Sequence, residues 1–399
     1  MTDTFGIADP SRVDLTNVDG PGGPSLRDIT CYLNQGSNEY NGQLGARVSA
    51  LFVILITAMA CTLFPVVATR TRFKIPLYVY LFARYFGAGV IIATAFIHLL
   101  QPGYDSIGPA TCVGMTGGWA GYSWPPALAL TSSMLTFLMG FAAERYVEKK
   151  HGLPHSSGES PLAIGNGRTG PVDAAATRYE TERRRSTHTH QGLHSSDQDG
   201  QQLAASPYPD EHKHHSPDES FERDSIDSAK EKAAELAFKQ QIAAFLILEF
   251  GVIFHSVIIG LTLGTAGAEF ASLYPVIVFH QAFEGLGIGA RLSAIPFPRR
   301  LRWMPWTLCA AYGLTTPIAI AIALGLRTTY NAGSFTANVV SGVLDSTSAG
   351  ILIYTGFVEL IARDFLFNPD RTDDDKQLAF MIASVLLGAA IMALLGKWA

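Results

Sequence analysis

The sequence is short of charge. Asp, Glu, Lys and Arg make up 16% of its 399 residues, where a soluble globular chain has about a quarter. The shortfall is uneven: long stretches carry almost no charge, while 148–235 is dense in charge, Ser and His. That split excludes an ordinary soluble domain and describes a membrane protein with one large hydrophilic loop. A basic excess is missing too: the net charge is −5, which excludes a nucleic-acid partner as the first reading. Cysteine is scarce. Cys31, Cys61, Cys112 and Cys309 are too scattered for a disulfide scaffold or a CxxC metal site. Cys61 and Cys309 sit in apolar runs and read as inert core thiols. Cys31 and Cys112 fall on one side of the membrane, and their pairing stays open because it requires that side to be oxidising. Residues 1–45 lack an apolar stretch, which excludes a secretory signal peptide and leaves the first span as the targeting signal.

What the chain has is long apolar runs. A bilayer-crossing helix needs about 20 such residues, and 46–68, 76–100, 126–147, 241–264, 272–294, 303–326, 336–362 and 377–397 qualify or nearly so. Lys and Arg concentrate in 69–75, in 295–302 and in the large loop, while 101–125 and 265–271 have none. Basic connections stay cytosolic. The expected fold class is therefore an all-α polytopic membrane protein with eight transmembrane helices and both termini extracytosolic. It divides into an extracytosolic tail (1–45), helices 1–3 (46–147), a largely disordered cytosolic loop (148–235) and helices 4–8 (236–399).

Eight of the eleven histidines lie in that loop. The tracts "HTHQGLH" and "HKHH" place His188, His190, His194, His212, His214 and His215 as candidate metal-sensing ligands. No fixed geometry is expected of them, so they read as a sensor or buffer rather than a reaction centre. "KEKAAELAFKQQ" reads as a helix leading into span four.

Ionisable groups inside a bilayer are costly and mark functional sites by default. His280 and Glu284 are i and i+4, on one face of span five, with Gln281 adjoining. His255 lies in the middle of span four with the Ser256 hydroxyl beside it. Two imidazoles, a carboxylate and an oxygen from Ser256 or Gln281 suit Zn²⁺, and also Fe²⁺ or Mn²⁺. Gly260 and Gly264, with Gly285 and Gly289, form GxxxG pairs expected to let spans four and five approach each other. His98 and Asp345 are candidates for an outer path, and Glu249 for an exit toward the cytosol. Arg84 is expected to pair with a carboxylate at the inner ends of the spans.

Together "HSVIIGLTLG" (spans four) and "HQAFEGLGIGARL" (span five), with "ATAFIHLLQP", "LTTPIAIAIALG" and "STSAGILIYTGFVELIARDF", resemble the signatures of the ZIP (Zrt/Irt-like) divalent metal transporters. "NEYNGQLGARVSALFVILI" is similar to the first span of fungal zinc transporters in that family. The resemblance implies metal import toward the cytosol, a site at His255, His280 and Glu284 with Ser256 and Gln281 around it, and an elevator-like movement of one helix bundle. Ile259 and Gln281 stand where members with a binuclear site carry acidic residues, which implies one transported metal and no resident cofactor. The expected location is the plasma membrane, with an internal membrane that releases stored metal as the alternative. A homodimer, and regulatory or ubiquitination machinery docked on the loop, are the candidate protein partners. Two readings compete with a zinc transporter besides an iron- or manganese-preferring importer. An intramembrane zinc hydrolase would need a motif such as HExxH, and "HQAFE" is not one. A metal-sensing receptor would need no polar groups at several depths. The chain is accordingly not expected to be an enzyme.

Overall fold

The computed structural model describes residues 23–34, 40–70, 76–151, 217–368 and 371–398. Among these it is all helix: α1 (Leu26–Asn34), α2 (Leu44–Arg70), α3 (Leu77–Ile107), α4 (Trp124–His151), α5 (Pro217–Thr265), α6 (Phe270–Ala294), α7 (Met304–Leu326), α8 (Phe335–Phe365) and α9 (Asp375–Leu395). The loop histidines His188, His190, His194, His212, His214 and His215 lie outside the described residues. The helix of α5 begins at Pro217, so the end of the hydrophilic loop is already helical.

Among the described residues, seven helices are long and apolar enough to cross a bilayer, and α6 is not among them. Its 25 residues give about 37 Å, ample for a crossing. What dilutes its apolar character is His280, Gln281, Glu284 and Arg291, the residues that make it interesting.

The helices pack as two groups. In one, α2 lies against α6 and α7, and α7 against α5. In the other, α3 lies against α9, and α8 against α4 and the outer part of α3. The groups meet where α3 crosses α6 and α8 crosses α5. At the α3–α6 crossing two glycines face each other: a Cβ on Gly287 would stand 2.7 Å from the Gly87 Cα. No side chain fits between these backbones, the arrangement small residues permit in membranes.

The GxxxG pairs act elsewhere than expected. Gly260 faces Thr316 and Ala319 of α7, and Gly264 faces Ala323, also of α7. Gly285 and Gly289 face Thr62 of α2. Each pair seats its helix against a neighbour in the same group, and α5 and α6 themselves touch only sparsely. The reason is rotational. The small face of each helix is used up within its group, which leaves the histidine faces free to look inward.

Two polar anchors shape the ends. Arg47, fully buried in the first turn of α2, donates to the carbonyl oxygens of Leu263 (3.1 Å) and Gly264 (3.0 Å) and to that of Ala266. It thereby satisfies carbonyls that the end of α5 leaves without helical partners, and its guanidinium lies 4.5 Å from the Phe270 ring centroid. At the other ends, Arg84 of α3 donates to both carboxylate oxygens of Asp364, at 2.9 and 2.8 Å. The inner carboxylate expected for Arg84 is thus Asp364, two residues beyond the expected end of span seven. Cys31 and Cys112 are joined by a disulfide, tying α1 to the segment between α3 and α4.

Candidate metal-transport site

The site begins with α6. Helical spacing stacks His280 and Glu284 on its buried face, at 2% and 0% exposure, with the His280 Nε2 3.6 Å from Glu284 Oε2. From α5, the ring of His255 comes to 5.3 Å from that of His280, centroid to centroid. A third imidazole arrives from the other helix group: the His98 ring lies 4.9 Å from His280, edge to face. His98 sits on a π-helical turn, Thr94–Leu100, inserted into α3. Such a turn re-aims side chains and recurs at functional sites. The His98 Nε2 is 3.3 Å from the Met392 carbonyl oxygen of α9, which orients the ring.

Hydrogen bonding within this cluster is incomplete. His255 Nε2, His280 Nε2, Glu284 Oε1 and Ser256 Oγ are buried and have no hydrogen-bond partner. The cluster is also open: among the described residues, no three His, Cys, Asp or Glu side chains are arranged to hold a metal ion as they stand. Gln281 is turned differently, its Oε1 accepting from the Tyr312 hydroxyl at 3.1 Å.

The remaining sequence candidates lie above and below. Gly103 faces Ser346, and Gly342 faces Ser106 and Ile107, which fixes the antiparallel register of α3 and α8. That register sets buried Asp345 level with about Tyr104, some six residues or ~9 Å from His98 toward the Cys31–Cys112 end of the molecule. Among the described residues no hydrogen bond or ion pair joins Asp345 to the histidines. Farther out, Asp105, Ser106, Thr111, Cys112 and Asn338 line a cavity of about 200 Å³ between α3 and α8. Below the histidines, Glu249 of α5 is 3% exposed with both carboxylate oxygens unpartnered.

Comparison with known proteins places the chain in a family. The profile of the family described as ZIP Zinc transporter matches residues 44–396. The chain belongs to the ZIP family. It is 53% identical to zinc-regulated transporter 1 of Saccharomyces cerevisiae, covering 98% of this chain and 97% of that one. It is 38% identical to zinc-regulated transporter 1 of Schizosaccharomyces pombe (94% and 90% covered) and 35% identical to zinc-regulated transporter 2 of S. cerevisiae (94% and 99% covered). No solved structure matches it. As a ZIP protein it is an integral membrane transporter, not an enzyme, and its metal is cargo rather than a cofactor.

Sequence reasoning missed Tyr312 and the cavity residues Asp105 and Asn338 in this ZIP chain. A signal for the first existed. Cys309, Tyr312 and Thr316 recur at i, i+3 and i+7, a buried polar stripe along one face of α7. For the second there was little, because a polar residue beside a membrane boundary is ordinary.

Proposed function

We propose that this chain carries Zn²⁺ across a membrane toward the cytosol through one site made by His255, His280 and Glu284. The observation that supports it most is the set of unpartnered atoms: two imidazole nitrogens and one carboxylate oxygen, buried together. A buried polar atom left unpaired costs about 1–3 kcal/mol, and a divalent cation would relieve all three at once. Two nitrogens and an oxygen are a zinc-type set with room for a fourth ligand, and Ser256 Oγ or water is the candidate for it. The names of the yeast relatives favour zinc over iron. Gln281 in place of a carboxylate favours one ion over two.

On this reading the ion enters by the cavity at Asp105 and Asn338, passes Asp345, and reaches His280 by way of His98. It leaves past Glu249, toward a cytosolic loop whose histidines sense it. Donors that stand near but not closed suit a carrier, which must let its cargo go. Eight spans with α6 counted, both termini outside the cytosol, and residence in the plasma membrane complete the reading.

The test is expression in cells lacking zinc uptake, with labelled zinc and iron supplied to wild type and His280→Ala. Wild type should accumulate zinc saturably, and the variant should lose about tenfold or more at equal surface abundance, the scale of losing a metal-site group. A wild type that never exceeds background, or a variant that matches it, overturns the reading. Iron uptake equal to that of zinc removes the preference for zinc.

A further inference from the structure

We infer that Tyr312 is a positioning residue for the transport site, holding Glu284 by one carboxylate oxygen so that the other is presented to the ion. The inference deepens the site reading above and rests on it.

Tyr312 comes from α7, a helix with no ionisable group near the histidines in the sequence reading. Its side chain is 1% exposed. Its hydroxyl lies 3.2 Å from Glu284 Oε2, 3.1 Å from Gln281 Oε1 and 3.4 Å from the Gln281 carbonyl oxygen. A phenol has one proton to donate, so the two side-chain oxygens share one donor. Glu284 Oε2 therefore has two neighbours, the Tyr312 hydroxyl and His280 Nε2, while Oε1 has none. The carboxylate is split into a held oxygen and a free one.

Gln281 is sorted by the same hydroxyl. With its oxygen turned to Tyr312, the end left without a partner is Nε2. An amide N–H cannot ligate a cation, so the free end of Gln281 is not a ligand here, and its oxygen shares with Glu284 the one proton that Tyr312 donates. The ring itself has little freedom. It belongs to the main apolar cluster with Cys309, Leu248 and Ile288, and a Cβ on Gly285 would stand only 3.2 Å from its edge.

Hydrogen bonds to a ligating carboxylate fix its orientation, and their loss changes metal affinity by about 10–100-fold. Without the hydroxyl, Glu284 could turn both oxygens to the ion. A small tetrahedral ion such as Zn²⁺ loses by that, whereas larger ions accept bidentate carboxylates.

Tyr312→Phe keeps the ring and removes only the donor. It should be compared with wild type for zinc affinity of the purified full chain, for uptake KM and Vmax per surface molecule, and for competition by cadmium. The expected result is a rise of about tenfold in both zinc Kd and KM, Vmax within about twofold, and cadmium gaining on zinc. Unchanged Kd and KM overturn the inference, and so does a fall in Vmax at unchanged KM, the mark of a merely structural role. Should the variant not reach the surface, the Kd of purified protein decides alone. The two readings fail separately: active His280→Ala removes the site, whereas inactive His280→Ala with normal Tyr312→Phe removes only the role of Tyr312.

Discussion

Glu284 has no exposure in mid-helix, with one oxygen toward Tyr312 and the other toward no protein donor. Glu284→Gln preserves the shape and the bond to Tyr312 but removes the charge. Zinc uptake per surface molecule should fall about tenfold or more, because an amide is a far weaker partner for a divalent ion. Retained uptake would move the site elsewhere. Glu249→Gln is a contrasting case. It replaces a buried, unpartnered carboxyl group below the histidines, so the expected change is a lower Vmax with zinc KM nearly unchanged. How far such residues can be read from sequence follows from how unusual they are in lipid. His255, His280 and Glu284 stand out because an ionisable group in an apolar run is rare. Tyr312 stands out less, because tyrosine is ordinary in a membrane helix and only its spacing from Cys309 and Thr316 marks it. Arg47 does not stand out, because a basic residue in the first turn of a span reads as snorkelling to the surface, yet here it is fully buried against carbonyls.

At the scale of elements, periodicity and hydropathy located the helices well, and their partners poorly. The GxxxG pairs were visible as letters, but which neighbour they faced depends on the rotation of each helix in its group, which one sequence does not encode legibly. The π-helical turns Thr94–Leu100 and Thr355–Ala362 had no sequence signature, and one of them carries His98. Two substitutions test the packing. Gly287→Val places a branched side chain against the Gly87 backbone, at the crossing between the groups. Overpacking there should cost about 1–3 kcal/mol, read as a lower melting temperature in detergent, together with loss of uptake. Arg47→Ala should be more harmful still, because it strips donors from the Leu263, Gly264 and Ala266 carbonyls at about 1–3 kcal/mol each. A variant as stable as wild type would mean that water replaces the guanidinium.

Taken whole, the molecule places its donors on both helix groups: His255, His280 and Glu284 on one, His98 on the other, in ring contact across the boundary. If one group slides against the other, the His98–His280 contact is what breaks, so a metal handed over there changes its ligands as it moves. Direction then depends on which end of the molecule faces the cytosol. Two independent features agree. Basic residues gather in the connections 69–75 and 295–302, as cytosolic loops do. The Cys31–Cys112 disulfide lies at the opposite ends of the spans, and disulfides persist in oxidising compartments outside the cytosol. On the proposed orientation the cavity, whose lining includes Cys112, lies on the extracytosolic side. An epitope placed within 1–22 should therefore be stained on intact cells if the protein is in the plasma membrane. One placed within 152–216 should be stained only after permeabilisation. The reverse pattern would put the Asp105 cavity in the cytosol and turn His98 from the inlet into the outlet. Import toward the cytosol would then have to be abandoned, even with the histidine site intact.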